Sequence, residues 1–122
     1  MHALVVDDSE VIRKILTAYL HKLGFEVTAA INGREALEQL HRMERADVAL
    51  VDWNMPEMDG IAFLREVRAD VQYDALPVMM VTTNSELENV SEALEAGANE
   101  YIMKPFTAEM LKEKLELLGV CA

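Results

Sequence analysis

The chain has 122 residues, 52% of them hydrophobic and 27% charged, which describes one globular domain with a single core and excludes a disordered or fibrous protein. A net charge of −11 and a pI near 4.6 set the surface against phosphate backbones and anionic lipid, so direct nucleic-acid or membrane binding is not expected. One cysteine, Cys121, permits neither an internal disulfide nor a cysteine metal cluster, and no stretch reads as a signal peptide or a membrane span; a cytoplasmic protein is expected.

Residues 3–6 form a nearly continuous apolar run, the pattern of a strand covered on both faces. Ile12, Ile15, Leu16, Tyr19, Leu20 and Leu23 then trace one face of a helix that Gly24 ends, with Ser9 and Asp8 as candidate caps. Residues 25–29 alternate apolar and polar side chains and suit an edge strand. Asn32 and Glu35 have capping-box spacing ahead of Ala36, Leu37 and Leu40. Residues 48–51 repeat the buried-strand pattern and stop at Asp52. Pro56 and Gly60 mark a turn in which Glu57 and Asp59 read as turn and cap residues, and a helix beginning near Ile61 carries Leu64 and Val67. Residues 77–82 read as the fourth strand. Ser85 and Glu88 repeat the capping spacing before Val90, Ala93 and Leu94, and Gly97 ends that helix. Residues 101–103 are the fifth strand, followed by Thr107 as the cap of a last helix with Leu111, Leu115 and Leu118. Met79, Met80 and Met103 read as core, and His2, His21 and His41 as solvated or satisfied side chains.

The sum is a strand–helix unit repeated five times: an α/β fold with a parallel sheet between two helix layers. Such sheets bind ligands outside the carboxyl ends of the strands, where the strand order reverses. Here the first strand ends in Asp7-Asp8, the third in Asp52, the fourth in Thr82-Thr83 and the fifth in Lys104-Pro105. Two adjacent acids do not fit inside a strand buried on both faces, so the chain must leave the extended state near Asp7. If the first and third strands are neighbours, three carboxylates meet. At about 5 Å and an effective dielectric near 20, each pair repels by roughly 3 kcal/mol. One lysine does not balance three acids; a divalent cation with hard oxygen ligands does, which points to Mg²⁺. Each residue alone is an ordinary turn former, cap or surface charge, and the joint arrangement carries the reading.

In this set (Asp7-Asp8, Asp52 followed by Trp53, Asn54, Met55 and Pro56, Thr82, and Lys104-Pro105) the chain resembles the receiver domain of bacterial response regulators over its whole length. The resemblance implies that residues 1–122 form a single receiver domain with the flavodoxin-like (βα)5 sandwich, its five parallel strands in the order 2-1-3-4-5. It implies that Asp52 is the phosphoacceptor and that Mg²⁺ is held by Asp7, Asp8, Asp52 and the backbone carbonyl of Asn54. Thr82 would turn its hydroxyl to the phosphoryl group, Lys104 would pair with that group, and Tyr101 would swing inward as Thr82 moves. The Lys104–Pro105 bond would be cis. A histidine kinase would be the donor. The target would be a protein on the face of the fourth helix, fifth strand and last helix, such as a flagellar motor switch or another effector, with the regulator itself a monomer in chemotaxis-type signalling.

The family usually carries a smaller residue where Thr83 stands, and enteric chemotaxis members carry an acid where Asn84 stands. Together with Asn54 these positions are expected to tune access to Asp52 and the lifetime of the phosphorylated state. Trp53 is expected as a lid near the site, and the acidic residues 85–88 set this partner face apart from the basic enteric one.

A stand-alone receiver is the leading expectation, catalysing only its own phosphorylation and dephosphorylation. Three alternatives stand beside it. The first is a receiver cut from a larger regulator with a separate output domain. The second is a Mg²⁺-dependent aspartate-nucleophile phosphatase, which wants a second acid where Asn54 stands. The third is an FMN binder, which wants a hydroxyl- and glycine-rich loop where Asp7 and Asp8 would repel phosphate.

Overall fold

The computed structural model describes residues 1–83 and 90–120. Its elements in chain order are β1 (His2–Val6), α1 (Glu10–Lys22), β2 (Glu26–Ala30), α2 (Gly33–Arg42), β3 (Val48–Asp52) and α3 (Gly60–Arg68). A 3-10 turn at Val71–Tyr73 follows, then β4 (Val78–Thr82), α4 (Val90–Ala96), β5 (Glu100–Met103) and α5 (Ala108–Leu117). The strands form one parallel sheet in the order β2-β1-β3-β4-β5, the flavodoxin-like order expected. That order reverses between β1 and β3, which opens a crevice at their carboxyl ends.

Strand side chains alternate between two cores, one on each face of the sheet. Leu4, Val6, Val51 and Met80 pack with Ala36, Leu40, Phe63, Leu64 and Ala93 from α2, α3 and α4. Val5, Leu50, Met79 and Val81 pack with Leu16, Leu20, Leu111 and Leu115 from α1 and α5. Burial on both faces explains why β1, β3 and β4 read as unbroken apolar runs. The edge position of β2 explains its alternation and its exposed Glu26 and Ala29.

Helix starts follow their caps. The Ser9 hydroxyl accepts the Ile12 amide at 3.3 Å, Asn32 Oδ1 the Glu35 amide at 2.8 Å, Asp59 Oδ1 the Ala62 amide at 2.9 Å and Thr107 Oγ1 the Met110 amide at 3.1 Å. The capping spacing at Ser85 and Glu88 lies outside the described residues.

Several expectations shift. The second strand runs one residue later than its apolar pattern, because Phe25 turns into the core ahead of the ladder. Ile15 is 36% exposed and Leu94 47% exposed, since each sits at the rim of its helix's apolar stripe rather than at its centre. Met103 is half-buried, unlike Met79 and Met80, because β5 is the other edge. His2 is satisfied by Thr28 Oγ1 at 2.6 Å, and His41 stacks on Tyr73 with ring centroids 6.1 Å apart.

Candidate functional site

Each candidate side chain stands where a hydrophobic strand runs out. β1 ends at Val6, yet the Asp7 amide still donates to Ala30 O at 3.1 Å, so Asp7 is held in line with the ladder. Its side chain is 1% exposed, and Asp8 beyond it is exposed. Asp52 is the last residue of β3, 6% exposed and paired in register with Val81 of β4. The sequence places it at the strand mouth; the structure keeps it inside the ladder, one residue deeper than a turn former would lie. Thr82 ends β4 at 1% exposure. The Lys104 amide donates to Thr82 O at 2.7 Å, which seats the lysine beside Asp7 and Asp52.

The carboxylates of Asp7, Asp8 and Asp52 offer oxygens that all lie within 4.8 Å of one another. Lys104 Nζ donates to Asp52 Oδ1 at 3.1 Å and to Asp7 Oδ2 at 3.3 Å. Burial works against the ammonium here, but its hydrogen bond and charge interaction with Asp52, followed by those with Asp7, outweigh burial and raise the Lys104 pKa above its ordinary value. The pocket therefore carries three acids against one cation. All the side-chain donors are hard oxygens, one acid is open to solvent, and the excess charge equals that of a divalent ion. This set fits Mg²⁺ and fits poorly to a softer metal that wants sulfur or nitrogen.

Other residues hold this cluster in shape, and the sequence pattern does not single them out. The Ser9 amide donates to Asp7 Oδ1 at 2.8 Å, so the turn that starts α1 also orients Asp7. Arg13 Nη1 donates to the Asp7 carbonyl at 2.9 Å. Gly60 donates its amide to Trp53 O at 3.0 Å, and a Cβ there would collide with the carbonyl oxygen of Asp52. Only glycine lets α3 begin so close to the Asp52 backbone. The intervening loop is anchored from the far side: the Gly33 amide donates to Met58 O at 2.9 Å, and a Cβ on Gly33 would lie 2.7 Å from Met58 Cγ. Glu57 in this loop has φ 65°, and around it the Met58 amide donates to Pro56 O at 2.8 Å, a tight three-residue turn. Its side chain accepts from Asn32 Nδ2 at 3.4 Å.

The remaining expected positions lie around the cluster. The Lys104–Pro105 bond is cis. The Thr82 hydroxyl donates to Thr83 O at 3.2 Å, and Thr83 is half-buried. Asn54 is exposed, two residues beyond Asp52. Trp53 and Tyr101 are half-buried and face a small gap that Thr82, Met80, Ala93 and Ala98 also line. Trp53 packs on the α2–α4 core, which anchors it more firmly than a free lid. Asn84 lies outside the described residues. Among the described residues no helix is long and apolar enough to cross a membrane.

The geometry agrees with the comparisons to known proteins. The family model described as the response regulator receiver domain matches residues 3–116. The chain is 46% identical to chemotaxis protein CheY1 of Helicobacter pylori over 119 residues, covering 97% of this chain and 96% of that protein. It is 48% identical to chemotaxis protein CheY of Pseudomonas aeruginosa over 117 residues, covering 95% and 94%. Among solved structures, chemotaxis protein CheY4 of Vibrio cholerae superposes with a TM-score of 0.89 at 38% identity, covering 96% of this chain and 97% of that one. A receiver domain protein of Clostridium thermocellum superposes with a TM-score of 0.88 at 30% identity, covering 96% and 92%. Sequence, fold order and the acid–lysine pocket converge: this chain belongs to the response regulator receiver family, as a chemotaxis-type two-component response regulator.

Proposed function

We propose that Asp52 accepts a phosphoryl group from a histidine kinase and that the chain acts by presenting an altered face to a protein partner. The observation that carries this is Lys104 Nζ bridging Asp52 and Asp7 inside a cluster of three carboxylates. A carboxylate attacks phosphorus directly, so the Asp52 oxygen–phosphorus bond forms as the donor's nitrogen–phosphorus bond breaks and the imidazole leaves. Such transfer depends on alignment and charge neutralisation more than on proton movement. When bound, Mg²⁺ supplies the charge that lets an anionic phosphoryl group approach anionic Asp52; Asp7, Asp8, Asp52 and the Asn54 carbonyl would hold it.

This chain's own residues do the rest. Ser9 and Arg13 fix Asp7, and Gly60 fixes the Asp52 backbone. Lys104 already leans on Asp52 Oδ1 and would transfer one of its donors to the incoming phosphoryl oxygen. The Thr82 hydroxyl would leave the Thr83 carbonyl for a second phosphoryl oxygen. Tyr101 then moves toward the gap shared with Thr82, and the face built from α4, β5 and α5 changes shape. Thr83, Asn54 and Asn84 tune access and lifetime, and Pro105 sets the path of the chain after Lys104.

The reading includes a cytoplasmic monomer, residues 1–122 forming a single receiver domain, in a chemotaxis pathway with a motor switch or another effector as target. It is a switch rather than an enzyme acting on external substrates, because Asn54 offers no acid to protonate a leaving group.

The test is acetyl phosphate with Mg²⁺, followed by intact mass and by fluorescence of Trp53, the only tryptophan. One phosphoryl group and a changed emission are expected for the native protein and neither for Asp52→Asn. An identical response in the variant would defeat the assignment, and sustained phosphate release from many monoesters would replace the switch by a phosphatase.

A further inference from the structure

Beside the site, Glu100 and Tyr101 of the edge strand and Lys114 of α5 form a cluster whose two charged members the phosphoryl chemistry does not use. Lys114 of α5 places Nζ 3.0 Å from Glu100 Oε1 and 4.7 Å from the centroid of the Tyr101 ring. The same Glu100 oxygen accepts the Tyr101 backbone amide at 3.0 Å. The two charged side chains are 29% and 21% exposed, so this pair is shielded more than a surface pair.

The geometry has a direction. Glu100 anchors Lys114, and Lys114 caps the face of Tyr101 from the α5 side of β5. On the α4 side, where Tyr101 packs, lies the small gap lined by Thr82, Trp53 and Ala93, with Glu100 also on its wall. A ring moving into that gap must leave the ammonium behind. Cation–π attraction falls away beyond roughly 6 Å from the centroid, so the contact is lost and not merely stretched. Among the described residues no cation lines the gap to replace it. Glu100 and Lys114 therefore oppose the inward position of Tyr101 without touching the phosphoryl site.

We propose that Glu100 and Lys114 are positioning residues that hold Tyr101 in its present half-buried position and so set how strongly the resting protein resists switching. This rests on the reading of Tyr101 as the moving element and specifies what restrains it. Losing the restraint raises the resting population of inward Tyr101. A partly desolvated cation–π contact supports a change of about fivefold in that population. Because the inward form favours the phosphoryl-bound site, the concentration of beryllofluoride needed for half-response falls by the same factor.

The experiment titrates Mg²⁺ and beryllofluoride into the native protein, Lys114→Met, Glu100→Gln and Lys114→Arg. Its readouts are Trp53 emission and the ring resonances of Tyr101. Lys114→Met keeps the stem and removes the charge; Glu100→Gln keeps an acceptor for the Tyr101 amide and removes the ion pair; Lys114→Arg keeps both interactions. The expected result is that the first two start part-way to the bound signal before any beryllofluoride and respond at about fivefold lower concentration. Lys114→Arg should behave as the native protein. If all three share the native baseline and midpoint, the restraint does not exist and the receiver reading stands. If the native protein shows no response at all, the receiver reading fails and takes the restraint with it.

Discussion

The two ends of the sheet each hold a partly buried cation, and they use it in opposite ways. At the carboxyl end Lys104 faces the acids Asp7 and Asp52, which overcome burial and raise its pKa. At the amino end Arg68 faces mostly backbone. Its guanidinium donates to the carbonyls of Tyr73 at 2.7 Å, Leu76 at 2.7 Å and Gly97 at 3.0 Å, and to Asn99 Oδ1 at 2.8 Å. Burial there lowers the Arg68 pKa, with Asp74 pulling the other way. Asn99 Oδ1 also accepts the Val78 amide at 2.9 Å, so one guanidinium ties α3, the 3-10 turn, β4 and the α4–β5 connection. Neutral acceptors leave Arg68 a strut. Excess anionic acceptors leave Lys104 a charge that can be drawn away by a stronger anion. Switching belongs at the end where charge is unbalanced, and stability at the end where it is satisfied.

The sharpest way to separate the ends is to remove each cation. Lys104→Met should slow phosphoryl transfer to Asp52 by about 10²-fold, the scale for losing one aligned electrostatic partner, measured with acetyl phosphate at saturating Mg²⁺. It should also flatten the alkaline limb of the stability curve. The Lys104 pKa is raised above 10.5, so its stabilisation is complete below 10.5 and fades as pH climbs through the raised value. Urea melts of both proteins from neutral to alkaline pH check this, and a native-like limb in the variant would place that stabilisation elsewhere.

Arg68→Ala should instead cost about 2–4 kcal/mol in urea melts by stranding several carbonyls, while the phosphorylation rate of the folded fraction stays native. A slowed transfer step would mean that the ends are coupled.

Smaller effects grade the carboxyl end. Mg²⁺ at about 100 times its dissociation constant should stabilise the native protein by about 2.7 kcal/mol, and clearly less in Asp8→Asn, by thermal melts. Without Mg²⁺, Asp8→Asn should itself be about 1 kcal/mol more stable, through relief of carboxylate repulsion. Glu57→Asn should add about 0.5–1 kcal/mol, because asparagine tolerates the left-handed φ of 65° better and the side-chain bond to Asn32 is long. A loss of stability would mean that the Asn32 bond outweighs the backbone strain.

Much of this was legible from residues alone, for a physical reason. Asp7, Asp52, Thr82 and Lys104 interrupt apolar runs at strand ends, and a polar group at the end of a buried strand is visible in one dimension. The pairings that finish the site are not. Ser9 and Arg13 on Asp7, Gly60 against the Asp52 carbonyl, and Gly33 against Met58 depend on how closely loops approach in space. Arg68 binds chiefly backbone carbonyls, which no side-chain pattern reveals. Glu100 and Lys114 are fourteen positions apart on different elements, so nothing in one dimension pairs them. Ile15 and Leu94 misled in the other direction, because periodicity marks a stripe without fixing its edges.

The central claim, that Asp52 is the nucleophile, is tested most directly by trapping. The native protein is phosphorylated with acetyl phosphate and Mg²⁺, reduced with borohydride to convert an aspartyl phosphate to homoserine, and sequenced by peptide mass. Homoserine at position 52, with Asp7 and Asp8 unchanged, is the predicted result; homoserine at either of those positions, or none anywhere in a protein that has taken up phosphoryl groups, would contradict it.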